Sequence, residues 1–366
     1  MKYIWKNDAW PNFIYDDVSD SLVRLYEEKN ATDIAFSVID DQTRRQMIAA
    51  DLSQDIVSSL SIEGEAIDID SVYSSVSKHL DVMFTGKSKD SAYAQSVLSM
   101  VTDALENHGP MTHQRLCDWN LRLFENKAGL HPKVMGEYRN GAEYVMKVSG
   151  KSQEIVYEAV RPENVPMEMG RFLEFVNGDD ALDPFVKASI ASLWFVAIHP
   201  FEDGNGRISR VIADYVINRS SNDGLHVFNL SSGILMDRDS YYDHIQVSLT
   251  DNPSMDISGW VVWFLDMVCD CFVRSRSALK KTLSTTSFMK SLDPNEFNSR
   301  EMSMLYKLAD GSFFGKLTTE KWMKMTKSSK TVAFRDIQHL VKKGFLIPSN
   351  GAGRNAGYHF NDMIVQ

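Results

Sequence analysis

The stretch HPFEDGNGRISR, His199 to Arg210, gathers several chemical capacities into twelve positions. Gly204 and Gly206 accept backbone angles that other residues resist, and Asn205 tolerates the left-handed region. A run of this kind turns amide N–H groups to one side and makes a nest for an anion. Arg207 and Arg210, three residues apart, share a helical face and can grip oxygens of one phosphate chain. Asp203 is a carboxylate of the sort that holds Mg2+ beside phosphates. His199 is the nearby group able to take a proton near neutral pH. An anion cradle, a cationic clamp, a metal holder and a base together suit nucleotidyl or phosphoryl transfer. Each part also has a structural reading: a Gly-Asn-Gly turn joins helices, a histidine sits in a core, paired arginines form salt bridges. Their coincidence in one loop favours a site.

Such a loop needs rigid elements on both sides. Before it, LDPFVKASIASLWFVAI reads as a helix with Asp183 as N-cap and Pro184 at the first helical position, apolar on nearly every side and therefore buried. It should stop near Ile198, because a residue before proline avoids the helical region. After the loop, ISRVIADYVINRS sets Ile208, Val211, Ile212, Tyr215 and Val216 on one face of a new helix. The free N–H groups and dipole at that helix start strengthen the anion nest. VSDSLVRLYEEKNATDIAFSVI, QSVLSMVTDALENHG and MTHQRLCDWNLRLFE also read as helices, whereas EYVMKVSGKSQEIVYEAV reads as a β-hairpin around Ser149-Gly150-Lys151. From about Ser291, three short helices and two strands around a Gly-rich tip fit a winged helix-turn-helix. In it SSKTVAFRDIQHLVKKG is the recognition helix, capped by Ser328 or Ser329.

At these residues the chain resembles the Fic family. His199 to Arg210 matches the signature HPFxDGNGRxxR at every fixed position, and the likeness extends from roughly Met111 to Leu279, including GEYRNG before the hairpin and the Tyr241-Tyr242 helix. The resemblance implies a mainly α fold. It would comprise an N-terminal helical region (1–110), a Fic helical core with a β-hairpin flap (111–285) and a C-terminal winged helix (291–366). It implies a protein adenylyltransferase that moves AMP from ATP, with Mg2+, to a Ser, Thr or Tyr hydroxyl of a target protein aligned at the flap. His199 would be the base, Phe201 the anchor of the loop and Asp203 the Mg2+ ligand. Gly204, Asn205 and Gly206 would cradle the phosphates, and Arg207 and Arg210 would meet the β- and γ-phosphates. Tyr241 or Tyr242 either lines the adenine pocket or is a stacked core residue. The DGNGR form of the loop favours AMP transfer over phosphate transfer, and leaves phosphocholine transfer and hydrolytic AMP removal open.

A second motif, SLSIEG from Ser59 to Gly64, matches the family's inhibitory pattern [ST]xxxE[GN]. The resemblance implies that Glu63 pairs with Arg210 in the γ-phosphate position and so restrains the enzyme; a capping serine and a solvated glutamate are the structural alternative. Relatives with this N-terminal helix often form homodimers, although no interface is legible in the residues.

The whole chain sets outer bounds. It has 366 residues, a formal charge of −10 and ordinary globular composition, which argues against nucleic-acid binding by overall charge. Locally, Lys316 to Arg354 carries nine basic residues against Glu320 and Asp336, so residues 316–354 are a candidate DNA contact. The alternative function is a DNA-binding regulator whose Fic core senses nucleotide, or an enzyme that both adds and removes AMP. Three cysteines without a CxxC pair speak against structural zinc or a disulfide framework, and Cys269 and Cys271 read as buried thiols. MKYIWKNDAWPNF has no apolar signal core and no run of eighteen apolar residues occurs, so a cytoplasmic protein without a membrane span is expected.

Overall fold

The computed structural model describes residues 3–82, 91–129, 131–149, 152–179, 181–220, 229–311, 313, 315–349 and 357–361. Gly150 and Lys151 of the expected flap turn, and residues 350–356 of the expected wing tip with Arg354, lie outside the described residues. Fourteen α-helices and two short hairpins make up the described structure: α1 (Ser19–Ser37), α2 (Asp41–Ile62), α3 (Ile69–His79), α4 (Ala92–Glu106), α5 (His113–Phe124), β1 (Tyr144–Ser149), β2 (Ser152–Glu158), α6 (Val165–Asn177), α7 (Pro184–Ile198), α8 (Asn205–Arg219), α9 (Leu230–Met236), α10 (Arg238–Leu249), α11 (Ser258–Ser291), α12 (Ser299–Ala309), α13 (Thr319–Thr326), α14 (Lys330–Lys342), β3 (Leu346–Pro348) and β4 (Tyr358–Phe360). None of the described helices is long and apolar enough to cross a membrane.

Helix starts follow local chemistry. Asp40, Ser91, Thr112 and Asp183 each accept a hydrogen bond from an amide of the first turn that follows, which satisfies donors with no partner inside the helix. Thus α7 begins and ends where Asp183-Pro184 and Pro200 require, and its apolar side chains are buried around the whole circumference.

The chain divides into two compact units, residues 1–275 and 276–366, and the division falls within α11. Composition alone sets the change near Ser291, because a helix running across the boundary carries no break signal there. In the first unit, α7 packs against α8, α6 covers α7, α4 covers α5 and α8, and α2 lies on α3 and α9. Trp119, Phe172, Phe195, Phe201 and Trp260 fill one continuous core. Each such side chain contributes about 1.5–3 kcal/mol through burial, which gives the α7–α8 pair a stiff seat. Cys269 and Cys271 are buried there as free thiols.

The flap strands pair antiparallel, Tyr144 opposite Glu158 and Val145 opposite Tyr157, with an irregularity between Val145 and Met146. Tyr157 donates its hydroxyl to the Ala197 carbonyl at 2.8 Å, tying the flap to the end of α7. The second unit has a separate core around Met304, Leu305, Trp322, Ile337 and Leu340. There α14 is capped by Ser329, and the β3–β4 hairpin is extended by Leu317, which exchanges backbone hydrogen bonds with Tyr358.

Candidate functional site

The loop between α7 and α8 is six residues long, and every turn of it is braced. His199 sits in the left-handed region (φ 53°), a strained setting for a side-chain-bearing residue. Its N–H is held by the Phe195 carbonyl at 2.9 Å and its carbonyl by Arg139 Nε at 2.7 Å. Phe201 is fully buried against Tyr138 and Phe195. The Asn205 side chain closes a ring with the Phe201 backbone, accepting from its N–H at 3.0 Å and donating to its carbonyl at 2.8 Å. Gly204 (φ 90°) starts α8, and a Cβ there would stand 3.0 Å from Leu123 Cδ1. The backbone angle calls for glycine, and the contact would be tight for any side chain.

His199 Nδ1 lies 3.2 Å from the Val196 carbonyl, so that nitrogen carries the proton and Nε2 keeps its lone pair for the cavity. Burial pushes the imidazole pKa down to about 4, helped by Arg139 and opposed by the Val196 contact and by the charges of Glu63 and Asp203. The ring is neutral at pH 7 and ready to accept a proton. The cavity it faces, about 930 Å3, is lined by the loop, by Tyr144, Val145 and Tyr157 of the flap, by Glu63 and by α10. That volume suits a nucleotide-sized ligand.

The two arginines of α8 are buried but not idle. Arg210 Nη2 donates to Glu63 Oε1 at 2.9 Å and to the Ser59 carbonyl at 2.9 Å, while Nε donates to Ser59 Oγ at 3.0 Å. Burial alone would lower the Arg210 pKa, and the Glu63 charge and hydrogen bond, together with Tyr241 and Tyr242, more than reverse this. Glu63, Ser59 and Arg210 of the expected brake are thus in contact. Gly64 (φ 76°) is the left-handed residue that ends α2: its N–H reaches the Ser61 carbonyl and that of Glu65 reaches the Leu60 carbonyl, a Schellman turn. A Cβ at Gly206 would collide with Glu63 Oε1, so glycine there admits the carboxylate.

Arg207 differs from its expected freedom to reach phosphates. Nη2 donates to Asp203 Oδ1 at 2.8 Å, Nη1 pairs with Glu65, and its guanidinium lies 5.1 Å from the Phe124 ring centroid. Asp203, half exposed, also accepts from the Gly204 N–H. That glycine amide is therefore turned to a carboxylate. The first-turn amides of Asn205, Gly206 and Arg207 are the ones without an acceptor inside the helix. No cluster of three or more His, Cys, Asp or Glu able to hold a metal occurs among the described residues. Of the loop's two carboxylates, Glu202 accepts from the Val134 N–H and Asp203 is half exposed, so Asp203 is the donor that would fit Mg2+ sharing its other positions among phosphates and water.

On the far wall, Tyr241 is buried among Tyr242, Trp260 and Trp263, while Tyr242 is 39% exposed with Arg238 5.4 Å from its ring centroid. Both line the cavity.

Sequence reasoning missed the supports. Arg139 is buried and donates to the His199, Ile198, Gly141 and Val160 carbonyls, joining the loop to both ends of the flap. Asn120 donates to the Asp203 carbonyl and accepts from the Gly136 N–H. Asp55 and Asp214, buried near Arg210, have pKa values raised by burial; the Asp55 charge adds to the rise at Asp214, while the Ser231 hydrogen bonds oppose it at Asp55 and the Arg210 charge opposes it at both. Asp55 accepts from Ser231 and so fastens α2 to α9. GEYRNG marked the Arg139 neighbourhood; nothing local marked Asn120 or Glu65.

Comparison with known proteins agrees with this geometry. Residues 110–217 match the model of the Fic/DOC family, and residues 3–82 match a domain of unknown function, DUF4172. Over 91 residues the chain is 32% identical to protein adenylyltransferase fic-1 of Caenorhabditis briggsae, covering 24% of this chain and 16% of that protein. A 66-residue match to fic-1 of Caenorhabditis elegans is 35% identical and covers 18% and 13%. The matches therefore span well under a fifth of those relatives. Among solved structures, a Fic family protein from Desulfovibrio desulfuricans G20 superposes with a TM-score of 0.52 at 17% identity over 94% of this chain and 97% of that one. Fic-1 from C. elegans gives 0.51 at 18% over 73% and 74%. With the signature loop inside the matched segment, this chain carries a Fic domain and has the Fic fold.

Proposed function

We propose that the protein transfers AMP from ATP to a hydroxyl side chain of a target protein, itself included, and that Glu63 restrains the reaction. The observation that carries this reading is the buried Arg210 guanidinium at the start of α8, with the chain's own Glu63 carboxylate on its fork. A carboxylate and a phosphate compete for the same donors. The signature loop and the similarity to protein adenylyltransferases support the choice of reaction.

In this reading the first-turn amides of α8 bind the polyphosphate, Arg207, held by Asp203 and Glu65, adds positive charge beside it, and Arg210 takes the γ-phosphate once Glu63 has left. Asp203 would hold Mg2+, which when bound neutralises charge on the phosphates. The Val196 carbonyl fixes the His199 tautomer, and Nε2 accepts the proton of the incoming hydroxyl. The oxygen forms a bond to the α-phosphorus as the bond to the bridging α–β oxygen breaks, and pyrophosphate leaves. The flap would align the target by strand addition, which needs little side-chain preference.

The test compares ATP labelled at the α-phosphorus with ATP labelled at the γ-phosphorus, using Glu63→Gly protein. Label retained on protein only from the α position supports AMP transfer; label only from the γ position shows phosphate transfer, and none from either refutes both.

A second reading concerns the smaller unit. Residues 276–366 hold 15 basic against 7 acidic residues, in a chain whose remainder holds 24 against 42. Thr331, Arg335, Gln338 and Lys342 form an exposed stripe on α14, while Asp336 is turned inward to Arg300. This supports duplex DNA as a ligand of that unit. Retention of the full chain on DNA that weakens steeply with salt would support it, and salt-independent or absent retention would refute it.

A further inference from the structure

The turn that ends α2 sends two carboxylates to two different arginines. Glu63 reaches Arg210, and Glu65, two residues on, reaches Arg207. The two are not held alike. Among the described residues Glu63 pairs with Arg210 alone, and its side chain is 28% exposed. Glu65 Oε1 is shared between Arg207 Nη1 and Lys127 Nζ, the latter at 2.7 Å, while Oε2 accepts from the Tyr93 hydroxyl at 2.9 Å. Those partners come from α8, from the residues after α5 and from α4. Burial and the Glu65 charge raise the Tyr93 pKa, so the phenol stays a donor.

A carboxylate shared by two cations and a phenol from three parts of the chain is poorly suited to leave when a phosphate arrives, because its departure would take the carboxylate from Lys127 and leave Arg207 with Asp203. It is well suited to hold the chain. Two residues span at most about 7 Å, so fixing Glu65 confines where Glu63 can lie. The Schellman hydrogen bonds set the angle between them, with Gly64 supplying the left-handed pivot.

We infer that Glu65 is a positioning residue of the brake: its cage of Arg207, Lys127 and Tyr93 anchors the segment that keeps Glu63 on Arg210. This rests on the reading of Glu63 as the brake. If the anchor is lost, Glu63 loses its hold and Arg210 becomes open to a γ-phosphate. A second consequence is that α4, α8 and the residues that follow α2 and α5 are coupled through one side chain, so a ligand or partner that shifts α4 bears on Arg210.

The test reads γ-phosphate recognition and does not depend on transfer. In the full chain carrying His199→Ala, so that nucleotide is not consumed, the affinities of Mg·ATP and Mg·ADP are measured by calorimetry. The variants are the parent, Glu63→Gly, Glu65→Ala and Glu65→Gln. The ratio of ATP to ADP affinity isolates the γ-phosphate, since a general gain of positive charge around Arg207 raises both. Glu65→Ala is expected to raise the ratio by about tenfold or more, a difference of about 1.4 kcal/mol, towards the Glu63→Gly value. Glu65→Gln, which keeps the size and part of the hydrogen bonding, should lie between; it also serves if the alanine variant does not fold. A parental ratio in both Glu65 variants beside a raised ratio in Glu63→Gly overturns the inference. Equal loss of both nucleotides in the Glu65 variants also overturns it, because Glu65 would then be orienting Arg207 for phosphate. An unchanged ratio in Glu63→Gly refutes the brake reading and this inference with it.

Discussion

The loop from His199 to Gly204 and the segment from Ser59 to Glu65 meet at Arg210, yet they are built to opposite ends. The loop is over-determined: Arg139, Asn120, Asn205 and the Phe195 carbonyl fix its backbone, and Phe201 is sunk in the core. The segment is a helix end whose active tip, Glu63, meets Arg210 by one ion pair. Catalytic geometry needs a fixed frame, because a misplacement of about 1 Å can cost a hundredfold in rate. A brake needs a tip that can leave, and a partly exposed ion pair of low net worth provides it. On the proposed reading, the two regions divide rigidity from release.

The contrast can be broken first at the base. His199→Ala should lower AMP transfer by roughly 10²–10⁴-fold, the range for a general base, with no loss of folded structure by circular dichroism. A rate within a few-fold of the parent would remove His199 from the chemistry.

Next comes the frame. Asn205→Ala deletes both hydrogen bonds to the Phe201 backbone and leaves two buried main-chain groups without partners. Denaturant unfolding should show a loss of about 1–3 kcal/mol, and transfer should fall even in the Glu63→Gly background. Ser59→Ala, by contrast, removes one of the Arg210 acceptors in the brake and leaves the frame alone. It should raise basal transfer a few-fold, in line with about 0.5–1.5 kcal/mol for one hydrogen bond. If Ser59→Ala lowered activity as Asn205→Ala does, the separation of frame and brake would fail.

The smallest effect concerns pH. With His199 held near 4, against 6.5 for a free imidazole, the base is already unprotonated at pH 6.5. The folded-state pKa is lowered, so the unfolded chain takes up this proton first. The stability from this group is therefore full above about pH 6.5 and is lost as pH falls towards 4. Transfer by Glu63→Gly should be flat from pH 8 down to about 5.5 and fall below that. An inflection at 6.5 would mean that His199 is solvated.

What the residues alone made legible was local. Asp183-Pro184 and Ile198-Pro200 bound α7, and the twelve-residue loop shows its chemistry because its parts are contiguous. Arg207 was legible as a phosphate ligand, but its pairing with Glu65 was not, since 142 residues separate them. Arg139 and His199 are 60 apart, and Asn120 and Asp203 are 83 apart. Contacts of that range are set by how α4, α5 and α8 pack, and no spacing rule within one helix reports them. Tyr241 and Tyr242 show the same limit: neighbours in sequence that both line the cavity, one is buried among tryptophans and the other is exposed.

The central claim is that Arg210 is taken by Glu63 until a triphosphate displaces it, and that His199 then activates an alcohol. Intact-mass spectrometry of the parent, Glu63→Gly, and Glu63→Gly with His199→Ala, each incubated with Mg·ATP, tests it most directly. The account predicts a gain of whole adenylyl masses that is slow in the parent, fast in Glu63→Gly and absent in the double variant. Equal rates in the parent and Glu63→Gly, or labelling that survives the loss of His199, would contradict it.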